Sequence, residues 1–112
     1  MQFGYKAQYM DYVEKIQSKK LVLFGAGDNT AAVISRYYLH ENIYALWDNS
    51  PAKWGQRVCG IPVSEPKTVN PSDIVVIITV SDELAISAIT EQLKNMGIAD
   101  IYPKAILSLM NE

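Results

Sequence analysis

The sequence predicts a three-layer α/β domain, a mostly parallel sheet between helices on both faces. Two observations carry the prediction. Short runs such as LVLF at 21–24, IYALW at 43–47 and IVVII at 74–78 are apolar with little alternation, the pattern of parallel strands buried on both faces. Segments of helical period alternate with these runs, and strand–helix alternation builds parallel pairs joined by crossovers. The length of 112 residues fits one domain over 1–112, long enough to bury roughly two-thirds of the surface its unfolded chain exposes.

Each element has its own justification. Tyr5, Tyr9, Tyr12, Val13 and Ile16 recur at helical spacing, predicting an amphipathic helix over 5–19 whose tyrosines pack on the sheet. Leu21–Phe24 is the first strand. A helix over Asp28–Glu41 follows, with Ala31, Ile34, Tyr37 and Tyr38 near one face. Ile43–Trp47 is a second strand ending at Asp48, and Asn49-Ser50-Pro51 supplies turn chemistry. The stretch from Val58 to Val63 reads as a short edge segment, because Pro62 cannot donate to a central ladder. Ile74–Thr79 is a further buried strand. Ser81 or Asp82 caps a helix running to Met96, with Ile86, Ile89, Leu93 and Met96 inward and Gly97 as its stop. Ala99–Tyr102 is a last strand, and Lys104–Met110 a short final helix.

Composition excludes several classes. Ten basic and twelve acidic side chains give a net charge of −2, and Lys19-Lys20 is only a pair. That counts against nucleic acid, which demands many cationic phosphate contacts. The longest apolar run falls far short of the ~20 residues a membrane helix needs, and the N-terminus carries charges unlike a signal peptide. A cytoplasmic setting is the expectation that fits the cysteine count. The single cysteine, Cys59, cannot form an internal disulfide and reads as a small buried hydrophobe. The lone His40 sits at a helix end, where a cation is favoured. No nucleophile–base set, phosphate-loop lysine or metal-spaced cluster stands out, so no catalytic residue and no metal ligand is assigned.

The stretch LVLFGAGDNTAA holds the main functional signal. Gly25 permits a tight turn out of the strand, and Gly27 lets a phosphate approach the backbone. Unpaired amides and the dipole at the next helix N-terminus favour an anion. Asp48 ends the next strand about 20 residues on, where such folds place an acid for ribose hydroxyls. The turn residues Gly25, Ala26, Gly27, Asp28, Asn29 and Thr30 and the pair Asp48 and Asn49 are therefore the candidate nucleotide site. Thr79 and Ser81 join it from the end of a later strand, and Lys53 as a phosphate partner. Thr30 stands where a third glycine is usual, predicting a wider helix–strand crossing or a shifted ligand, and Asp28 would repel a pyrophosphate at its side chain. In the competing reading the glycines make only a tight turn, Asp48 serves only the 49–51 turn, and Thr79 and Ser81 cap.

Three stretches together, LVLFGAGDNT, ALWDNSPAKWGQRVCGIPV and DIVVIITVSDE, resemble Rossmann-like modules of bacterial glycan biosynthesis. Such modules occur in N-terminal parts of sugar-nucleotide acyltransferases and polysaccharide-type epimerase/dehydratases, and beside FkbM-type and sugar C-methyltransferase domains. The G-x-P-V segment is also similar to the CoA-binding module of acyl-CoA synthetases. By position, Gly25 and Gly27 match the nucleotide turn and Asp48 and Asn49 the strand-end pair. Lys53, Gly55, Gly60, Pro62 and Val63 match the scaffold segment.

The resemblance implies a nucleotide or nucleotide-sugar binding domain for surface-polysaccharide biosynthesis, not catalytic alone, with NAD(P) or a nucleotide-sugar as ligand. The alternatives are an NAD- or CoA-sensing module that regulates or docks to a partner enzyme domain, and a fragment of an NAD-dependent nucleotide-sugar epimerase/dehydratase or of a sugar-modifying transferase. Tyr5, Tyr9, Tyr37, Tyr38, Trp47 and Trp54 exceed what one small core obviously needs, which predicts a homodimer.

Overall fold

A computed structural model describes residues 14, 16, 18–37, 39 and 42–111. Its centre is a six-stranded sheet. The strands are β1 (Lys20–Phe24), β2 (Ile43–Trp47), β3 (Arg57–Val58), β4 (Ile61–Ser64), β5 (Ile74–Ile78) and β6 (Asp100–Pro103), in the spatial order β3-β4-β2-β1-β5-β6. All neighbours pair in parallel except β3 with β4. Helices α1 (Asp28–Arg36) and α2 (Glu83–Asn95) make the crossovers from β1 to β2 and from β5 to β6. This is the Rossmann-like α/β architecture expected from strand–helix alternation.

The alternation of side chains along β1 explains why both faces need cover. Leu21 and Leu23 join a core with Ile34 and Val33 of α1, Ile16, Leu39, and Ile106 and Leu107 of a C-terminal 3-10 segment (Lys104–Asn111). Val22 and Phe24 face the other way, onto Ile89 and Leu93 of α2 with Trp47 and Ile98. The strand β5 is buried along its whole length, and its run of Ile and Val fits a strand buried on both faces. Of the helix expected over 5–19, Glu14, Ile16 and Ser18 are helical; Tyr5, Tyr9, Tyr12 and Val13, like Tyr38 and His40, lie outside the described residues.

Local signals hold in α2. Asp82 is its N-cap, accepting from the Ala85 amide at 2.8 Å, and Gly97 ends it at φ +88°. Two expectations are corrected. Helix α1 stops at Arg36 rather than Glu41: Leu39 turns into the core, bonding through its amide to the Ile34 carbonyl. Burying that side chain and starting β2 beside β1 overrides helix propensity. The stretch from Val58 to Val63 is not one edge segment but a hairpin, with Pro62 in β4 between β2 and β3. The strand tolerates Pro62 because the ladder bonds fall on Val63, whose amide donates to the Gln56 carbonyl at 2.8 Å.

The hairpin turn also corrects Cys59. It is exposed, at φ +51°, with Gly60 at φ +81°. Two central residues at positive φ are what a two-residue type I′ turn requires. Of the aromatics expected at an interface, Tyr37, Trp47 and Trp54 are among the described residues. Trp47 is buried in the core on the α2 face, Tyr37 is partly buried against the core on the α1 face, and the exposed Trp54 donates its indole N–H to the Asp48 carbonyl at 2.7 Å.

Candidate functional site

The strands β1, β2 and β5 end at the same edge of the sheet, where α1 departs toward β2 and α2 toward β6. Ligands of open α/β sheets sit in the crevice at this reversal of strand order. The crevice here is a cleft of about 600 Å³, formed by residues 25–30, by Asp48 and Lys53, and by residues 79–82 with Ala85. Its size lies within the usual range of small-molecule sites, roughly 300–1,000 Å³.

The two glycines of the β1–α1 turn do different work. Gly25 has φ +110°, and a Cβ there would lie 2.8 Å from Thr79 Oγ1 and 3.0 Å from Val80 Cγ1. Its smallness serves the turn. Gly27 is the N-cap of α1 at φ −118°, a conformation open to any residue, and a Cβ there meets nothing within 4 Å. The space it leaves is the cleft itself. The amides of Asp28 and Asn29 begin α1 and have no acceptor four residues back within the helix.

Beneath the turn, two threonines form a buried lock. Thr30 Oγ1 bonds to the Gly25 carbonyl and lies 2.8 Å from Thr79 Oγ1. Thr79 Oγ1 is 2.9 Å from the Phe24 carbonyl. Both residues are 1% exposed. Thr79 lines the cleft, and its hydroxyl is held by the end of β1. Thr30, in place of a third glycine, supplies a tether from α1 to the turn.

Asp48 closes the loop from the other side. Its Oδ2 accepts the Ala26 amide at 2.8 Å and its Oδ1 the Ser50 amide at 2.8 Å, so one carboxylate fixes both the glycine turn and the turn after β2. Each oxygen keeps a lone pair for another donor. Lys53 Nζ lies 3.7 Å from Oδ2. Asn49 points elsewhere, in a reciprocal amide pair with Gln92 of α2 at 2.8 and 2.9 Å, and it leaves the candidate set.

On the opposite wall, Ser81 Oγ accepts from Asn29 Nδ2 at 3.2 Å and from Lys104 Nζ at 2.7 Å. The structure thus brings together Gly25, Ala26, Gly27, Asp28, Asn29, Thr30, Asp48, Lys53, Thr79 and Ser81. Sequence reasoning missed Lys104, which lies past β6 with no motif around it, and Asp82 and Ala85 as parts of the wall. Among the described residues no group of acids, histidines and cysteines could hold a metal, and no helix is long and apolar enough to cross a membrane. With backbone amides and a helix N-terminus at one side and a carboxylate at the other, the cleft can hold an anion flanked by hydroxyl donors.

No protein-family model matches the chain. A redox-sensing transcriptional repressor, Rex, from Brevibacillus brevis is 37% identical over 114 aligned positions, which include 88% of this chain. The chain spans about half the length of that relative, 53% of it.

Proposed function

We propose that this chain is a single domain over 1–112 that binds a nicotinamide dinucleotide, NAD(H), and reports its redox state. The carrying observation is Gly27: its absent side chain leaves open space inside a cleft whose floor and walls are otherwise tied down by Asp48, Thr30 and Thr79. A phosphate approaching the start of α1 needs that space. The likeness to a protein named for redox sensing supports the choice among nucleotides, since a sensor of that kind needs a ligand whose own oxidation state changes. This reading takes up the sensing alternative. Nothing in the likeness supports a nucleotide-sugar ligand, a role in polysaccharide biosynthesis or a homodimer.

Asp48 fits the adenosine ribose, through the lone pairs its two amide bonds leave unused. A cytoplasmic setting is part of the same proposal. The proposal is confined to ligand binding. Repression belongs to the relative at its full length, and the net charge of −2 with no basic stripe in this chain gives the proposal no nucleic-acid partner.

The test is titration with NADH, followed by energy transfer from tryptophan to the bound dihydronicotinamide; Trp54 is tethered to Asp48 at the cleft. NAD+ is expected to compete. Binding of CoA or a UDP-sugar with no binding of NADH or NAD+ would replace this reading.

A further inference from the structure

The cleft carries an imbalance of charge. Asp28, Asp48 and Asp82 contribute to its lining against the ammonium of Lys53, which is already beside Asp48. A dinucleotide brings two further negative charges, and a helix N-terminus offers only about half a positive charge.

A second cation stands next to the cleft. Lys104, the first residue after β6, rests its ammonium on the neutral hydroxyl of Ser81 at 2.7 Å. Among the described residues it pairs with no carboxylate, unlike Lys19, Lys20 and Lys53. The same Ser81 oxygen accepts from Asn29. The resulting bridge joins the start of α1, the β5–α2 loop and the end of β6 across the crevice between β1 and β5. Asn29 and Ser81 are exposed and Lys104 is half-buried, and contacts open to solvent are weak and easily exchanged. A hydrogen bond from an ammonium to a phosphate oxygen is stronger than one to a hydroxyl.

We propose that Lys104 is a further ligand-binding residue, reaching the cleft through its contact with Ser81. On ligand binding it leaves Ser81 and pairs with the pyrophosphate, so the Asn29–Ser81–Lys104 bridge acts as a latch that occupancy opens. The proposal rests on the dinucleotide reading above. It also makes the end of β6 and the segment after it the first part of the fold to register a bound ligand.

The experiment measures affinity for NADH and for ADP-ribose, at low and high salt, in the wild type and in Lys104→Met, Lys104→Arg, Ser81→Ala and Gly27→Val. Lys104→Met is expected to weaken both ligands about tenfold and to flatten the salt dependence, with Lys104→Arg restoring most of the loss. Ser81→Ala removes the competing acceptor and is expected to tighten binding about twofold. Thermal melts should barely change among the Lys104 and Ser81 variants, which separates the effect from folding. Unchanged affinity in Lys104→Met, or weaker binding in Ser81→Ala, overturns the latch while leaving the dinucleotide reading intact. A wild type that binds neither ligand overturns both.

Discussion

Replacing Gly27 with valine separates ligand binding from folding. The residue is the N-cap of α1 at φ −118° and ψ −164°, an extended conformation that β-branched residues accept readily. A Cβ meets nothing within 4 Å, so no core atom moves. The stability cost is then the difference in capping preference between glycine and an apolar residue, about 1 kcal/mol. Binding should suffer far more, because the valine methyl groups occupy the space a phosphate needs. Displacing a well-fitted group by an overpacked one costs roughly 1–3 kcal/mol, and loss of the amide contacts beneath it raises the total to about 3 kcal/mol or more, over a hundredfold in Kd. Calorimetric titration with NADH beside a thermal melt reads both quantities. Gly25→Ala supplies the contrast. Positive φ and a 2.8 Å approach to Thr79 Oγ1 combine to cost about 2–5 kcal/mol, a fall of about 10 °C or more in Tm. An unchanged NADH affinity in Gly27→Val would refute the idea that its missing side chain makes room for a ligand.

Further outcomes follow from single contacts. Thr79→Val keeps the volume but strips the hydroxyl from the buried lock, and should lower stability by about 1–3 kcal/mol in urea unfolding; a cycle with Thr30→Val should show coupling of about 0.5 kcal/mol or more. Asp48→Ala frees the Ala26 and Ser50 amides together and should cost about 1–3 kcal/mol, with weaker NADH binding by titration; wild-type behaviour in both assays would deny the clamp. Cys59→Asn places the pair favoured in type I′ turns at the β3–β4 hairpin and should raise stability by about 1 kcal/mol, read as an upward shift of Tm. Leu93→Ala, fully buried between α2 and the sheet, should cost about 2–5 kcal/mol, checked by the same unfolding curves.

The strand β2 and the helix α2 were legible in the sequence for a common reason: their signals are local. An apolar run flanked by turn residues fixes Ile43–Trp47, and Asp82 with Gly97 brackets α2, because capping and left-handed φ act over a few residues. The glycine turn and Asp48 were legible too, as residue types at a spacing, and strand–helix alternation fixed the sheet as mostly parallel. Packing decided the rest. Helix α1 ends early because Leu39 must reach the core, which no residue near Arg36 announces. Cys59 lies on the surface because the chain folds back on itself at Gly60, and only the pairing of β3 with β4 sets that turn. Thr79 looks outward in sequence and is sealed under Gly25 in space, and Asn49 turns away to Gln92, 43 residues on. Lys104 reaches Ser81 only because β6 lies beside β5. Sequence by itself determined where most of the strands and helices lie and where the glycine turn between β1 and α1 falls. Tertiary structure alone decided which polar groups face that turn, because a hydroxyl or ammonium takes whichever partner the crossing of distant strands brings within 3 Å.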